Sequence, residues 1–288
     1  LAALRDDDAF EFGVIAMGRY GGRELGFGSD ADVMYVFRAG DEASNAQQQA
    51  VALVRRLGEF TSDSMIPFEL DADLRPEGKN GPLVRSLDAY RAYYERWSLT
   101  WESQALLRAR PVAGDESLLA DFAGLADTVR YPEAISQNDL REVKRIKARV
   151  ESERLPQGAD PARHLKLGRG SLSDVEWLVQ LLQLEHGARV PELRTTFTLG
   201  APEAAADAGL VPTADAAVLR EAWLLASRVR SALTLWSAKT TDVLPRVTEQ
   251  LDGVARLVGY PPRSAGALEN DYLRVTRRAR ASFERLFF

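Results

Sequence analysis

The feature that most constrains the fold is an acidic pair at the start of an apolar segment. Residues 28–32 are G-S-D-A-D, and residues 33–37 continue as V-M-Y-V-F, so a β-strand over residues 31–37 is predicted. Because side chains alternate faces along a strand, Asp30 and Asp32 lie on one face, about 7 Å apart. Two carboxylates that close repel each other unless a cation lies between them. Mg²⁺, which prefers carboxylate and phosphate oxygens, suits such a pair.

A metal site of this kind needs a third carboxylate from a neighbouring strand. Residues 67–74 (PFELDADL) alternate apolar and polar side chains, which predicts a strand. Asp71 and Asp73 fall on one face of that strand, and their spacing does not choose between them. Arg75 falls on the same face, where its charge would neutralise developing phosphate charge.

A glycine-rich turn, GRYGGRELGFGSD, joins a first predicted strand at residues 12–17 to the acidic pair. Backbone N–H groups in such a turn can approach a triphosphate closely. The turn is neither a Walker A loop, because no G-K-[ST] follows, nor a G-x-G-x-x-G fingerprint. An isolated D-x-D pair is more often a solvated strand start. The glycines, the apolar strand and the second acidic strand together favour metal-dependent attack on the α-phosphorus of a nucleotide.

The chain changes character near residue 115. Before it, strand and helix patterns alternate. After it, apolar residues recur at three- and four-residue spacing, and prolines separate the segments. We therefore predict an α+β fold, with a mixed β-sheet and helices over residues 1–115 and an all-α helical bundle over residues 116–288. The predicted helices are residues 41–60, 87–97, 101–110, 138–153, 172–186, 215–237, 248–257 and 265–286.

Composition excludes several classes of protein. The sequence has no cysteine, which rules out disulfides, zinc ribbons and a thiolate nucleophile and fits the cytoplasm. Its two histidines are too far apart for an H-E-x-x-H zinc helix. A net charge of -5 argues against bulk electrostatic binding of nucleic acid, and no apolar run reaches the roughly 18 residues of a membrane span. The sequence begins without Met or a signal peptide, so we expect a fragment of a longer protein.

Four blocks of sequence resemble the glutamate–ammonia-ligase (glutamine synthetase) adenylyltransferase family. AMGRYGGRELGFGSDADVMYVF, residues 16–37, is similar to the family signature G-x-G-x-x-G-x-x-E-L-x-x-x-S-D-x-D, with Ala16 replacing the first glycine. LDADLRPEGKNGPLV, TWESQALLRARPVAGD and KLGRGSLSDVEWLVQLLQLEHG are similar to three further family blocks, in the same order. The matches span about residues 13 to 187. They imply that the sheet is of the nucleotidyltransferase type.

That family is bifunctional. One half transfers AMP from ATP to a tyrosine of glutamine synthetase, and the other removes AMP by phosphorolysis. The W-E-x-Q-A-L form and the helical tail look more like the C-terminal, adenylylating half. The resemblance implies ATP and glutamine synthetase as partners, Mg²⁺ as cofactor, a cytoplasmic enzyme and regulation by a PII-type signalling protein.

The resemblance also assigns roles to single residues. Asp30 and Asp32 would bind Mg²⁺. Asp73 stands where the family often has Arg, so the resemblance selects Asp71 as the third carboxylate. Asp71 would complete the metal site and help to deprotonate the tyrosine. Contacts with the nucleotide phosphates are implied for Gly18, Gly28, Ser29, Arg75 and Lys166.

Three residues in the helical half are less constrained. Asp174 and Glu176 either reach the active site or form the acidic first turn of a helix, which the helix dipole favours. His164 is expected at the surface or at a hinge rather than as a catalytic base.

Three alternative functions are open for a chain with this acidic motif. The reverse half-reaction would release ADP from phosphate and adenylylated glutamine synthetase. A related transferase would act on another acceptor, either by uridylyl transfer to a nitrogen-signalling protein or by transfer to a small molecule such as an aminoglycoside. A regulatory module would bind nucleotide or glutamine synthetase without turnover, and the intact set Asp30, Asp32 and Asp71 argues against it.

Overall fold

The computed structural model describes residues 10–40, 45–62, 68–97 and 99–288. The chain separates into two compact units, Leu1–Leu25 with Asp30–Pro132 and Gly26–Ser29 with Glu133–Phe288. The units divide after residue 132, whereas the sequence pattern places the domain boundary at residue 115. Helix Glu116–Arg130 accounts for this difference, because its side chains are buried in a core that also contains strand residues of the first unit.

A mixed five-stranded sheet organises the first unit. Its strands are β1 (Phe10–Ala16), β2 (Ala31–Ala39), β3 (Leu70–Asp71), β4 (Val84–Ser86) and β5 (Arg110–Gly114). The strand order is β3-β2-β1-β5, and β4 also pairs with β2. β1 is antiparallel to β2 and β5, whereas β3 and β4 are parallel to β2. The β2–β3 register places Asp32 beside Asp71.

Helices cover both faces of this sheet. They are α1 (Gly18–Gly21), α2 (Ala46–Thr61), α3 (Leu87–Arg96), α4 (Thr100–Leu106) and α5 (Glu116–Arg130). On one face of β2, Val33, Tyr35 and Phe37 are buried in a core with residues of α2. On the other face, Met34 and Val36 are buried in a core with residues of α3 and α5. Because both faces are covered, β2 has a continuous apolar sequence rather than an alternating one.

Helices form most of the second unit. They are α6 (Gln137–Glu153), α7 (Leu172–His186), α8 (Gly200–Asp207), α9 (Thr213–Ser237), α10 (Thr248–Leu257) and α11 (Ala265–Phe287). The long helices α9 and α11 pack against each other, and α7 packs against both. Their buried residues include Val229 of α9 and Phe283 of α11. Within the described ranges, no helix combines the length and the apolar character needed to cross a membrane.

The predicted fold class, a mixed sheet with helices followed by a helical bundle, is confirmed. Helices α7 and α10 begin and end at the predicted residues. Two predictions in the first unit are wrong. Of the strand predicted over residues 67–74, the described part contains only Leu70–Asp71, because the chain turns after Asp71. The helix predicted over residues 101–110 ends at Leu106, and β5 follows it.

The sequence analysis does not predict β4, β5, α5 or α8. Pro111 explains the omission of β5, because proline removes a backbone donor and argues against a strand in a sheet interior. Among the described strands, β5 is the last of the order and pairs with β1 alone, so the missing N–H is tolerated at this edge.

Candidate active site

Three carboxylates meet at the start of β2. Asp30 immediately precedes the strand, Asp32 is its second residue, and Asp71 lies opposite Asp32 on β3. Each of the three offers an oxygen atom, and these oxygens all lie within 4.8 Å of one another. Asp30 is exposed and the other two are half-buried, so the cluster faces solvent on one side. Negative groups this close favour a bound cation.

The turn after β1 approaches the same carboxylates. Met17 N donates a 2.8 Å hydrogen bond to the backbone oxygen of Asp32, which holds the end of β1 against the start of β2. Gly18 follows with φ +48°, and a Cβ built on it would lie only 2.1 Å from Oδ2 of Asp32. Glycine is therefore required at residue 18, both by the left-handed backbone and by the adjacent carboxylate.

Asp73 does not belong to the set of three carboxylates. Its backbone N–H donates a 2.8 Å hydrogen bond to Oδ1 of Asp71, which forms a turn instead of a further strand residue. Its carboxylate lies 3.1 Å from Lys79 Nζ and 3.6 Å from Arg75 Nη1. The prediction that Asp71 and Asp73 share a strand face is therefore wrong. Asp71 is the residue of the two that lies near Asp30 and Asp32, and its role as a metal ligand, which the family resemblance implies, stays a prediction.

Arg75 is buried, and its guanidinium binds backbone oxygens of its own loop. Nε donates to Gly81 O at 3.1 Å, Nη1 to Ala72 O at 2.8 Å and Nη2 to Lys79 O at 3.2 Å. The strand argument that placed Arg75 on the face of Asp71 is wrong, because β3 ends before it. Its observed bonds hold the loop that follows β3, and a phosphate contact by Arg75 stays a prediction.

Two arginines that the sequence analysis did not connect with the site hold the glycine turn. Arg110 donates from Nε to Gly21 O at 2.9 Å and from Nη2 to Tyr20 O at 3.0 Å. Arg108 forms a buried ion pair with Glu24 at 3.4 Å. The signal was present in the family-like block T-W-E-S-Q-A-L-L-R-A-R, whose two arginines are these residues.

Gly28 and Ser29 fall within the second compact unit. Gly28 has φ +67°, and its backbone oxygen accepts a 3.4 Å hydrogen bond from Thr240 Oγ1. Arg230 Nη1 donates to Ser29 Oγ at 3.3 Å. Neither Arg230 nor Thr240 lies in a block that suggested a site. Lys166 is exposed, its backbone N–H donates to His164 Nδ1 at 3.3 Å, and its contact with a phosphate stays a prediction.

Asp174 is buried in a network of charged groups within the second unit. It lies 2.6 Å from Lys147 Nζ and 3.0 Å from Arg280 Nη1, and it accepts a 2.6 Å hydrogen bond from Gly170 N. Glu151 joins the network through both cations. Burial alone would raise the pKa of Glu151, but hydrogen bonds from Arg280 and Lys147 outweigh it and hold the pKa below 4.5.

These contacts favour a structural role for Asp174, which lies in the first turn of α7 as one of the two sequence interpretations had it. Glu176, two residues later, accepts a 3.4 Å hydrogen bond from Trp223 Nε1. The expectation that His164 lies at the surface is wrong, because it is 4% exposed. Its Nδ1 accepts N–H bonds from Lys166 and Leu167, and burial lowers its pKa.

Two family models match the chain. Residues 2–125 match the model described as glutamate-ammonia ligase adenylyltransferase, which includes all three carboxylates and the glycine turn. Residues 141–287 match the model described as GlnD PII-uridylyltransferase. The two matches fall on the sheet and on the helical part respectively.

Curated relatives are similar along nearly the whole chain. A bifunctional glutamine synthetase adenylyltransferase/adenylyl-removing enzyme of Leifsonia xyli is 65% identical over 100% of this chain and 29% of its own length. A protein of the same name from Streptomyces avermitilis is 53% identical over 96% of this chain and 28% of its own length. Another from Mycobacterium tuberculosis is 50% identical over 99% of this chain and 30% of its own length. The chain thus spans less than a third of the length of the curated relatives it matches.

Proposed function

This chain belongs to the glutamate-ammonia ligase adenylyltransferase family, and on that premise we propose that it transfers AMP from ATP to a tyrosine hydroxyl of glutamine synthetase. The observation that carries the proposal is the convergence of Asp30, Asp32 and Asp71 beside the turn at Gly18. The choice of glutamine synthetase as the acceptor is supported by the names of the relatives, which describe adenylyl transfer to that protein.

The three carboxylates fit a divalent ion such as Mg²⁺. They offer only hard oxygen atoms, which all lie within 4.8 Å of one another. Small rotations of the three side chains would therefore bring these oxygens into contact with one ion. When bound, the ion would offset the charge of the ATP phosphates and polarise the α-phosphoryl group. Asp30 and Asp32, at the start of β2, and Asp71, on β3, would hold it.

The protein residues then have separate tasks in the transfer. Asp71 would accept the proton of the tyrosine hydroxyl as its oxygen bonds to the α-phosphorus, and its bond from Asp73 N fixes one carboxylate oxygen for this purpose. The bond between the α-phosphorus and the bridging oxygen breaks, and pyrophosphate leaves. The backbone N–H of Gly18 and the Ser29 hydroxyl would donate to phosphate oxygens, which orients the leaving group.

The reverse half-reaction is the second candidate, because the relatives are named as adenylyl-removing enzymes as well. In that direction an oxygen of inorganic phosphate attacks the phosphorus of the tyrosine-bound AMP. The bond between that phosphorus and the tyrosine oxygen breaks, the tyrosine oxygen takes up a proton, and the ADP that has formed is released. The same carboxylates would serve both directions, so the motif does not separate them.

A PII-type regulator also belongs to the proposal. Its support is the match of residues 141–287 to a model whose description names PII uridylylation. We assign the protein to the cytoplasm, where ATP and glutamine synthetase meet. The same match makes UTP the alternative donor that an experiment has to exclude.

The decisive experiment is incubation of the chain with α-labelled ATP, Mg²⁺ and unmodified glutamine synthetase, followed by mapping of the label. We expect label on a tyrosine of glutamine synthetase, and no label from α-labelled UTP. A parallel reaction with adenylylated glutamine synthetase and phosphate measures release of ADP, which would assign the chain to the reverse half-reaction.

A matched pair of variants distinguishes metal-dependent transfer by this chain from transfer by a contaminating enzyme. Asp30→Asn removes a proposed metal ligand, whereas Asp73→Asn makes the same change at a carboxylate that lies outside the cluster. Transfer that survives in Asp30→Asn would contradict the mechanism. Transfer of UMP in preference to AMP would contradict the proposed donor.

A further inference from the structure

The serine before the acidic pair is held by a residue far away in the sequence. Arg230, in the C-terminal half of α9, donates from Nη1 to Ser29 Oγ at 3.3 Å, and the two residues are 201 positions apart. The same guanidinium nitrogen lies 3.2 Å from the Cβ position of Gly26, so the loop before Asp30 rests directly against Arg230. Thr240 fixes the loop a second time through the oxygen of Gly28.

Arg230 is itself held in place. Only 10% of its side chain is exposed, and its Nε forms an ion pair and hydrogen bond with Asp242. The backbone oxygen of Asp242 accepts a 2.6 Å bond from Leu165 N, and Leu244 N donates to Arg163 O at 2.9 Å. Asp242 therefore stands on a segment that is paired with another part of the second unit, and the direction of the guanidinium is set before any ligand binds.

The direction of this hydrogen bond has a chemical consequence. A hydroxyl oxygen that accepts from a guanidinium has its own proton turned elsewhere, because that proton cannot point at the cation. The nearby positive charge also makes the hydroxyl a stronger donor to an anion. Ser29 lies directly before Asp30 in the chain, so the residue that Arg230 holds is the sequence neighbour of a proposed metal ligand.

We propose that Arg230 is a positioning residue for ATP, which acts through Ser29 by orienting its hydroxyl as a donor to a nucleotide phosphate oxygen. This inference rests on the proposed function and extends it to a residue outside the sequence blocks of the site. Arg230 acts on binding of the donor nucleotide and has no part in recognition of the protein acceptor.

The test is a double-mutant cycle on the 288-residue chain, with ATP and Mg²⁺ as ligand and α-labelled ATP with glutamine synthetase as substrates. Ser29→Ala and Arg230→Gln are each expected to raise the KM for ATP and the Kd for ATP about tenfold, the range of one hydrogen bond to a charged group. The KM for glutamine synthetase stays unchanged. In the Ser29→Ala background, Arg230→Gln adds less than about twofold, because the two residues act through one bond.

Two further variants keep the test decisive. Arg228→Gln is the matched control, since Arg228 is exposed on the same helix and donates to Val258 O, and we expect no change in either constant. Asp242→Asn keeps the shape of the side chain and loosens Arg230. If Arg230→Gln fails to fold by circular dichroism, the Asp242→Asn and Ser29→Ala cycle replaces it, with a smaller rise in KM that vanishes without the Ser29 hydroxyl.

The outcomes distinguish this inference from the proposed function. A wild-type chain that does not bind ATP overturns both. A wild-type chain that binds ATP in a manner dependent on Asp30, with an unchanged Kd in folded Arg230→Gln, overturns only the role of Arg230. Fully additive effects of the Ser29 and Arg230 substitutions also overturn it, because Arg230 would then act by another route.

Discussion

Replacing Gly18 by Ala tests how far the candidate active site depends on the close approach of the turn to Asp32. The added Cβ would lie 2.1 Å from Oδ2 and 2.9 Å from Cγ of Asp32. Non-bonded heavy atoms are most stable at about 3.5 Å, so the carboxylate has to move by roughly 1 Å. In addition, the φ angle of +48° strains an alanine by about 1 to 2 kcal/mol.

A displacement of this size at a catalytic group lowers the rate by roughly 100-fold, because the reacting atoms lose their alignment. We therefore expect Gly18→Ala to transfer AMP about 100 times more slowly than the wild type and to melt a few degrees lower. Label transfer from α-labelled ATP measures the first effect, and thermal unfolding followed by circular dichroism measures the second.

The control for backbone strain is Gly209→Ala. Gly209 has φ +73°, and no described heavy atom lies within 4 Å of its Cβ position. This variant should show a similar loss of stability with unchanged transfer. The reasoning is refuted if Gly18→Ala transfers AMP at the wild-type rate, or if Gly209→Ala loses as much activity.

Three further predictions test the carboxylates and the buried charges. Asp30→Asn should reduce transfer by at least about 100-fold without changing the melting temperature, whereas Asp73→Asn should stay within about threefold of the wild type in the same labelling assay. Lys147→Met should lower the free energy of unfolding by about 3 kcal/mol, since it leaves Asp174 buried with one cation fewer, and urea unfolding measures the loss. Because the folded-state pKa of Glu151 lies below its usual 4.5, its contribution to stability is present above that pH and is lost as the pH falls through the lowered value. Urea unfolding between pH 6 and about pH 3 should therefore show a smaller pH-dependent loss in Glu151→Gln than in the wild type.

Local patterns in the sequence predicted the part of the fold that depends on periodicity. The apolar run after Asp32 predicted β2, and the three- and four-residue spacing of Leu and Val predicted α7 and α10. These patterns are informative because burial on both faces of a strand, or on one stripe of a helix, requires apolar residues at fixed intervals.

The position of Asp73 could not be predicted in this way. Alternation along residues 67–74 treats the whole segment as one strand, and it places Asp71 and Asp73 on the same face. The backbone instead turns after Asp71, because a hydrogen bond from Asp73 N to the Asp71 side chain competes with the strand ladder. Aspartate supports both arrangements, so the residue types alone do not decide between them.

The contact of Arg230 with Ser29 could not be predicted from the sequence for a different reason. Helix α9 as a whole is rich in alanine and apolar residues, and the helical pattern predicts only a packing surface there. The contact of Arg230 with Ser29 joins residues that are 201 positions apart, which no local spacing can indicate. Contacts of this length follow from the tertiary fold alone, and the sequence analysis accordingly missed the residue.

The glycines of the K-L-G-R-G-S block, residues 166–171, have a structural explanation in the second unit. A Cβ on Gly168 would lie 2.0 Å from His164 O, and one on Gly170 would lie 1.8 Å from Thr276 O on α11. Gly170 N donates to the buried carboxylate of Asp174. The block thus packs a loop against α11 and joins it by a hydrogen bond to Asp174 in the first turn of α7.

Two glycines that lie near a carboxylate therefore have different structural roles in this chain. At Gly18 the missing Cβ makes room for the half-buried carboxylate of Asp32, which is one of the three carboxylates of the candidate active site. At Gly170 it makes room for a backbone oxygen of α11, and the nearby carboxylate of Asp174 is buried and paired with Lys147 and Arg280. What the Cβ position would meet, a carboxylate oxygen in one case and a helix carbonyl in the other, distinguishes a glycine of the candidate active site from a packing glycine. For this reason substitution of Gly170 should lower stability first and activity only in proportion, whereas substitution of Gly18 should lower activity well beyond its effect on stability.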